Sequence, residues 1–338
     1  MTIKDIARLC GCSVSTISRV INDRQDVKPE TKERVLRTMR EVGFVPNANA
    51  QQLKIQQSRN IVFVVKGTGN MFFADLLVRL QSCTAEYGYN GVISYLDENA
   101  DEMDAAEKIM RELKPKGIIF LGGALDNFRR GFSAIGVPSV IATVTSSELH
   151  FDNLSMVGID DRQAAFDAVS YLMQAGHRRI AILGGPASSY PSQMRRQGAE
   201  EAMAAAGIPF DPGLFSLCNY DLESAYNAMN ALLAQGRQFT AVFAMSDVIA
   251  VGAMRALVSA HRRVPEDVSV MGFDGIALSR FCIPVLATVA QPSGQIARKS
   301  VELLVNQIEH CTPARTLLVP HRILAGDSVA APPGAAQP

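Results

Sequence analysis

From Asn60 onward the sequence alternates short apolar runs with amphipathic segments of helical spacing, and this alternation constrains the fold more than any other feature. We expect strands at the apolar runs 61–65, 91–95, 117–121, 139–143, 180–183, 241–244 and 268–272. We expect helices between them over 72–86, 101–113, 162–174, 193–206, 222–234 and 247–260. Such alternation is typical of parallel sheets covered by helices. Its length exceeds one doubly wound unit, so we predict two similar lobes with a cleft, where ligands bind at the carboxyl ends of strands.

The residues before Asn60 have a different pattern, that of three short helices. Thr2 is placed to cap the first helix and Ser13 the second, and the first helix is expected to end at Gly11. Inward-facing positions of these two helices are Ile3, Ile6, Ala7, Cys10, Ile17, Val20 and Ile21. Two short helices across a tight turn indicate a helix-turn-helix, whose second helix enters the DNA major groove with its N-terminal part. Val14, Ser15 and Arg19 would then read bases.

A third helix is expected from Pro29 to Gly43, packing through Val35, Leu36, Met39 and Val42. Charge is unevenly distributed, because residues 1–59 contain 11 Lys and Arg against 6 Asp and Glu, whereas the remainder contains 22 against 27. A basic N-terminal module suits a polyanionic partner, but the excess does not distinguish DNA from RNA or from a solvated face. From periodicity alone, a three-helix bundle with ordinary charged faces remains an alternative to DNA binding.

Several runs of residues closely resemble the beginning of the lactose-repressor (LacI/GalR) family. They are residues 2–7, 12–22, 27–31 and 43–47, continuing into 48–53. Lys28 stands where the family has Ser or a similar helix cap before Pro29. This departure affects only the expected start of the third helix. The resemblance implies a set of DNA-binding residues: Thr2, Ser13, Val14, Ser15, Thr16, Ser18, Arg19, Asn22, Asn47, Ala50, Leu53 and Lys54.

The resemblance also implies a hinge helix within residues 47–59, with Leu53 wedged into the minor groove. A helix this short is not stable in water alone, so we expect it to form only with its dimer partner and DNA. Packing of Leu53 against the body of the protein is the alternative. We therefore predict an all-α helix-turn-helix domain at 1–46, the hinge and linker at 47–59, and an α/β two-lobed ligand-sensing domain at 60–325.

The body of the chain resembles type I periplasmic sugar-binding proteins, with recognisable motifs at 176–181, 246–247, 264–274 and 288–292. It implies a first lobe at about 60–160 and 290–322 and a second at about 161–289, with crossings near 159–162, 288–292 and 322–325. Residues 326–338 are rich in Ala, Pro and Gly and are expected to be a disordered tail. No apolar heptad follows Ala325, so we predict a homodimer without a tetramerising coiled coil.

Position at strand ends, together with this resemblance, selects a ligand-binding set: Asn70, Phe72, Phe73, Arg195, Tyr220, Ser246, Asp247, Asp274 and Gln291. Planar polar groups with an aromatic wall suit a sugar or sugar derivative. Alternatives remain for individual members: the two Phe residues suit a core equally well, Asp247 suits a helix cap, and Arg195 suits a surface charge. The family commonly has Asn-Pro where this chain has Asn70-Met71, and Asn where it has Ser246. Amines, nucleobases and acidic sugars therefore stay open as ligands.

Other protein classes lack their signatures in this sequence. Hydrolase, nucleotide-binding and zinc-protease motifs are missing, and the five His and six Cys residues have no catalytic or metal-ligand spacing. We expect no enzyme activity, cofactor or metal. A periplasmic solute-binding protein is opposed by the helix-turn-helix pattern and by the polar start of the chain. We expect a cytoplasmic, nucleoid-associated repressor that binds a pseudo-palindromic double-stranded operator, controlled allosterically by a small molecule and without a membrane partner.

Overall fold

A computed structural model describes residues 2–21, 27–43, 59–67 and 69–333. It divides the chain into two compact units, Met1–Gln57 and Ser58–Pro338. The predicted hinge segment up to residue 58 lies outside the described residues, as do the predicted DNA-binding residues Asn22, Asn47, Ala50, Leu53 and Lys54. Within the described residues, no helix is both long enough and apolar enough to span a membrane.

The N-terminal unit contains three helices, α1 (Ile3–Cys10), α2 (Val14–Ile21) and α3 (Pro29–Glu41). Its small core consists of Ile6, Ala7, Cys10, Ile17, Val20, Val35 and Met39. Leu36, which the pattern assigned to the core, is 38% exposed, so that assignment was wrong. Val35 and Met39 share the inward face at i, i+4 spacing, and the next residue points about 100° away from it.

Local hydrogen bonds confirm the predicted helix-turn-helix boundaries. Asp5 accepts hydrogen bonds from the Thr2 backbone nitrogen at 2.8 Å and from the Thr2 hydroxyl at 2.9 Å. Gly11 ends α1 in the left-handed conformation at φ 58°, which a residue without a Cβ adopts at no steric cost. Ser13 Oγ then accepts from the Thr16 backbone nitrogen at 3.1 Å, which starts α2.

The C-terminal unit contains twelve strands and eight α-helices among its described residues. The strands are β1 (Asn60–Lys66), β2 (Asn90–Leu96), β3 (Gly117–Leu121), β4 (Ser139–Ala142), β5 (Leu154–Gly158), β6 (Ile180–Gly184), β7 (Phe215–Leu217), β8 (Ala241–Ala244), β9 (Ser269–Asp274), β10 (Ala287–Ala290), β11 (Thr316–Leu318) and β12 (Arg322–Leu324). The helices are α4 (Met71–Glu86), α5 (Glu102–Leu113), α6 (Leu125–Gly131), α7 (Asp161–Gln174), α8 (Tyr190–Ala205), α9 (Leu222–Ala234), α10 (Asp247–Ser259) and α11 (Ser293–His310).

The strands form two six-stranded sheets of the same order, one in each lobe. Lobe 1 has the order β11-β5-β4-β3-β1-β2, and lobe 2 has β12-β10-β9-β8-β6-β7. All pairings are parallel except the antiparallel pairing of β12 with β10. Central strands such as β3 and β8 are buried at every residue because helices cover both faces. The chain reverses its winding between β1 and β3 and between β6 and β8, which are the places where doubly wound sheets bind ligands.

The sequence pattern missed several elements. It did not identify β5, β7, β10, β11 and β12, or the helices α6 and α11. Four of these strands have only three or four residues, too few for a periodic signal. The third crossing between lobes lies between β11 and β12, at residues 319–321, slightly earlier than predicted.

Residues 326–333 are packed on lobe 2, so the prediction of a disordered tail was wrong over this stretch. Ser328 is fully buried; its backbone nitrogen donates to Val285 O at 3.0 Å, and its Oγ donates to Val270 O at 2.6 Å. Ala330 O contacts His177 Nε2 at 2.9 Å. The segment therefore satisfies polar groups at the sheet margin, which its Ala- and Pro-rich composition did not indicate.

Candidate ligand cleft and nucleic-acid interface

A cavity of ≈ 210 Å³ lies where the carboxyl ends of strands from both lobes meet. Lobe 1 contributes loops after β1, β2, β3 and β4, and lobe 2 contributes loops after β6, β7, β9 and β10. Seven of the nine predicted ligand-binding residues line it: Asn70, Phe72, Phe73, Arg195, Tyr220, Asp274 and Gln291. The doubly wound topology brings them together from positions as far apart in the chain as 70 and 291.

Arg195 is the buried centre of the polar wall. Its side chain is 6% exposed; Nε donates to Asp161 Oδ1 at 2.8 Å, and Nη1 donates to Met245 O at 2.5 Å. The guanidinium stacks on Phe273, with Cζ 3.7 Å from the ring centroid. These contacts exclude the alternative of a surface charge and fix the orientation of the guanidinium toward the cavity.

Asp274 and Gln291 form the adjacent part of this wall. Gln291 Nε2 donates to Asp274 Oδ1 at 2.8 Å, and Arg195 Nη1 lies 3.7 Å from the same oxygen. Burial raises the pKa of Asp274 to about 6, and the Arg195 charge opposes that rise. Gln291 Oε1 is buried and has no hydrogen-bond partner among the described residues. A buried orphan acceptor on a cavity wall calls for a donor from a ligand or from water.

Aromatic side chains cover the other walls. Phe72 and Phe73 are 3% and 8% exposed, and both line the cavity. They therefore act both as core residues and as part of the cavity wall, the two roles that the sequence left open. Tyr220 OH lies 3.2 Å from Ser189 Oγ, and its ring lies against Gly185, where a Cβ would overlap it. Asn70 Oδ1 accepts from Phe72 N at 3.0 Å and starts α4.

Ser246 and Asp247 are not on the cavity wall, and they support it from behind. Ser246 Oγ accepts from Ile249 N at 3.1 Å as the cap of α10. Asp247 is fully buried; its Oδ1 accepts from Thr288 Oγ1 at 2.5 Å and its Oδ2 accepts from Ile276 N at 2.8 Å. Burial raises the pKa of Asp247 well above its ordinary value, with the Asp274 charge as the next cause. Its contacts join α10 to the loop after β9 and to β10.

Several polar residues on the wall were not predicted. They are Lys66, Glu98, Asn99, Thr143, Ser188, Ser189, Asn219 and Asp221. Lys66 Nζ lies 3.0 Å from Glu102 Oε2, and the fully buried Glu102 also accepts from Asn127 Nδ2 at 2.6 Å and from Ala124 N. Those from Lys66 to Ser189 lie at or shortly after strands that the pattern identified, so a systematic reading of those strand ends would have found them. Asn219 and Asp221 follow β7, which the pattern missed.

Helix α2, the second helix of the helix-turn-helix, exposes the residues that its spacing predicted to read bases. Val14, Ser15 and Arg19 are exposed, whereas Ile17 and Val20 are buried. Ser13 Oγ lies 2.7 Å from Ser15 Oγ and 2.8 Å from Thr16 Oγ1 at the start of the helix. Thr2 and Ser13 are exposed, and Thr16 and Ser18 are partly so. An exposed helix N-terminus with hydroxyl groups and a nearby Arg is suited to contact DNA.

Two protein-family models match the chain, one within each compact unit. Residues 2–47 match the family described as bacterial regulatory proteins, lacI family. Residues 169–329 match a periplasmic binding protein-like domain. The HTH-type transcriptional regulator MalR of Clostridium butyricum is 36% identical over 311 residues, covering 91% of this chain and 93% of that protein.

Solved structures match over nearly the full length. A complex of the transcriptional regulator CelR with cellobiose superposes with a TM-score of 0.73 at 29% identity, covering 97% of this chain and 99% of that chain. The lac repressor dimer bound to operator and the anti-inducer ONPF superposes with a TM-score of 0.77 at 25% identity, covering 98% and 99%. Both the small helical unit and the two-lobed unit therefore have counterparts in these proteins.

Proposed function

Because the chain belongs to the lacI family of bacterial regulatory proteins, we propose that it is a repressor whose operator binding is controlled by a sugar or sugar derivative in the interlobe cleft. Proteins of this family are DNA-binding transcription regulators and not enzymes. This chain is therefore a DNA-binding transcription regulator.

The cleft is the observation that carries the ligand part of the proposal. It combines an oriented guanidinium, a carboxylate and an amide on one wall with the rings of Phe72, Phe73 and Tyr220 on the others. Planar polar groups of this kind hold adjacent hydroxyls, and an aromatic face covers the apolar side of a sugar ring. The match to a regulator in complex with cellobiose supports the same ligand class.

The exposed face of α2 carries the DNA part of the proposal. Val14, Ser15 and Arg19 are assigned to the major groove, with Arg19 as the residue for bidentate contact to guanine. One small reader binds weakly, whereas two readers in a homodimer gain effective concentration and match the two-fold symmetry of a pseudo-palindromic site. Leu53 is assigned to the central minor groove by the family resemblance. Because operator DNA lies in the nucleoid, we assign the protein to that part of the cytoplasm.

Control follows from the two-lobed architecture of the cleft. A ligand that contacts both lobes binds one interlobe arrangement more tightly than the other and shifts the population toward it. In a dimer, that shift changes how the two hinges and readers are presented to the two half-sites. The direction of the effect, induction or co-repression, is decided by measuring operator binding with the ligand present.

Thermal melting against sugars, sugar acids, polyols and nucleobases tests the ligand assignment. A ligand at 100 times its dissociation constant stabilises the folded state by about 2.7 kcal/mol. We expect a sugar or sugar derivative to raise the melting temperature of the wild type and of Arg196→Gln, an exposed control, but not of Arg195→Gln. Stabilisation by nucleobases alone, or an equal effect on both variants, would contradict the assignment.

Sedimentation of the full chain tests the homodimer. We expect a dimer at micromolar concentration. A stable tetramer or a monomer under those conditions would show that this part of the proposal is wrong.

A further inference from the structure

The cleft has an excess of negative charge on its walls. Of its two lining cations, Lys66 is paired with the buried Glu102 at 3.0 Å, and Arg195 is shared between the buried Asp161 at 2.8 Å and Asp274 at 3.7 Å. The three lining carboxylates, Glu98, Asp221 and Asp274, therefore exceed the cationic charge that remains available to them. A cavity with this balance attracts cations and repels anions.

Glu98 and Asp221 come from different lobes and meet at this cavity. Glu98 follows β2 in lobe 1, whereas Asp221 precedes α9 in lobe 2. Gly67 lies beside Glu98 and Gly69 lies beside Asp221, so each of the two residues contacts the chain just after β1. Burial raises the pKa of Glu98, and the Asp221 charge adds to that rise, while Lys66 opposes it. Two like charges that raise each other's pKa across a cavity are stabilised by a cation that enters it.

Neither of these carboxylates is fully occupied within the part of the chain that the structure describes. Glu98 has no hydrogen bond or ion pair there. Asp221 uses Oδ1 to accept from Ser224 N at 2.7 Å, which caps α9, and its Oδ2 has no such contact. Capping of α9 accounts for one Asp221 oxygen but does not account for Glu98 on the wall of the same cavity.

A separate observation indicates that the missing partner is a ligand with donor groups. Gln291 is 7% exposed, and its Oε1 lacks a hydrogen-bond partner among the described residues although it lines the same cavity. Its Nε2 is already committed to Asp274 at 2.8 Å. The unoccupied atoms of Gln291, Glu98 and Asp221 are thus all acceptors. The buried Gln291 Oε1 requires an N–H or O–H donor, whereas the exposed Glu98 and the half-buried Asp221 are open to donors that enter the cavity.

We propose, on the premise that this cavity is the effector site, that the effector is an amino sugar or a closely similar hydroxylated amine. Its protonated amino group lies between Glu98 and Asp221, and a ring hydroxyl donates to Gln291 Oε1. Sugar acids and sugar phosphates are rejected, because their charge is the same as that of the wall. Among the ligand classes left open by the sequence, the charge of the cleft therefore selects amines over acidic sugars.

Matched ligand series test this proposal with the full chain. Glucose, galactose and mannose are each compared as the neutral sugar, the 2-amino sugar and the uronate, by isothermal titration at low ionic strength. We expect an amino member to bind about ten to a hundred times more tightly than its neutral counterpart, as for a hydrogen bond to a charged group. We expect the uronate of the same ring to bind most weakly, and the preference for the amine to decrease with added salt.

Two variants connect the preference to the named residues. In Glu98→Gln and in Asp221→Asn, which keeps a residue suited to cap α9, the amine should lose most of its advantage while neutral-sugar affinity changes little. Glu223→Gln is the matched control, because Glu223 lies on the same helix as the Asp221 cap but does not line the cavity. It should leave the preference intact.

The outcomes separate this inference from the proposed function. If neutral sugars or uronates bind most tightly, or if the amine preference survives both variants, the amino-sugar inference is overturned and the sugar-responsive regulator stands. If no member of any series binds, both the inference and the sugar assignment fail. Tightest binding of an amino member that depends on Glu98 and Asp221 supports the inference.

Discussion

Replacing Asp274 by Asn should make the protein more stable at neutral pH while weakening effector binding. Asp274 is 4% exposed, and its backbone lies at φ 109°, a conformation that Asn adopts more readily than most residues. An Asn side chain can keep the oxygen that accepts from Gln291 Nε2. It removes the negative charge and replaces the second carboxylate oxygen with a donor.

The magnitude follows from the pKa of Asp274, which burial raises from 3.8 to about 6. Each pKa unit corresponds to 1.36 kcal/mol, so ionised Asp274 disfavours the folded state by about 3 kcal/mol at neutral pH. The folded state binds the Asp274 proton more tightly than the unfolded chain does. Proton binding therefore stabilises the folded state fully at a pH below the pKa of Asp274 in the unfolded chain. This stabilisation is lost as the pH rises through about 6. The substitution should also make the ionised form of Asp247 more favourable, since the Asp274 charge is the second cause of the raised pKa of Asp247.

Urea denaturation of wild type and Asp274→Asn at several pH values measures this effect. We expect the variant to be more stable by about 2 to 3 kcal/mol near pH 7.5, with the difference shrinking toward about pH 4. Asp267→Asn is the control of opposite sign, because its hydrogen bond to Arg263 lowers the pKa of Asp267 to about 2. That variant should be less stable than wild type at neutral pH.

Effector affinity of Asp274→Asn should fall about tenfold or more, because an acceptor facing the ligand becomes a donor. Stability and function are then opposed at this position, as is common for polar residues held in a binding site. If Asp274→Asn were less stable than wild type at neutral pH, or if the difference did not depend on pH, our account of the buried carboxylate would be refuted.

Three further predictions concern the reader, the helix packing and the C-terminal segment. Arg19→Ala should relax base preference at one position per half-site by about 1 to 3 kcal/mol, as measured with a set of single-base operator variants; uniform weakening would make Arg19 a phosphate contact. Gly198→Ala should destabilise the chain by about 1 to 3 kcal/mol in urea, because its Cβ would overlap Arg162 O between α7 and α8, whereas Gly136→Ala, which meets open space, should not. Ser328→Ala should cost about 1 to 3 kcal/mol by removing the acceptor of Ala287 N and the donor to Val270 O, while the exposed Ser259→Ala serves as its control; equal stability of the two would contradict the packing of residues 326–333.

Much of the fold could be predicted because its long elements carry strong periodic signals. Helix α9 begins at Leu222 and ends at Ala234, where its pattern predicted, and strands β3 and β8 also have their predicted bounds. The helix-turn-helix was predicted from Thr2, Gly11 and Ser13, each of which makes the local contact or has the conformation that its residue type favours. These features depend on neighbours in sequence, so a single sequence contains them.

The rest depends on contacts between distant residues. Ser246 caps α10 through a local hydrogen bond from Ile249 N. Asp247 follows the same strand, but its side chain is directed by Thr288 and Ile276, which no local pattern indicates. Ser328 is buried and bonds to Ala287 and Val270, which are more than 40 positions earlier in the chain, so no local pattern indicates its burial. Glu98 and Asp221 likewise line one cavity only because the two lobes come together there.

Selection of operator DNA from a random duplex pool by the full chain, followed by titration with and without a stabilising ligand, tests the central claim most directly. Our account predicts a recovered site with two half-sites related by approximate two-fold symmetry, and an operator affinity that changes about tenfold or more when the cleft is occupied. Recovery of no symmetric site, or an operator affinity that is the same with and without a ligand bound in the cleft, would contradict it.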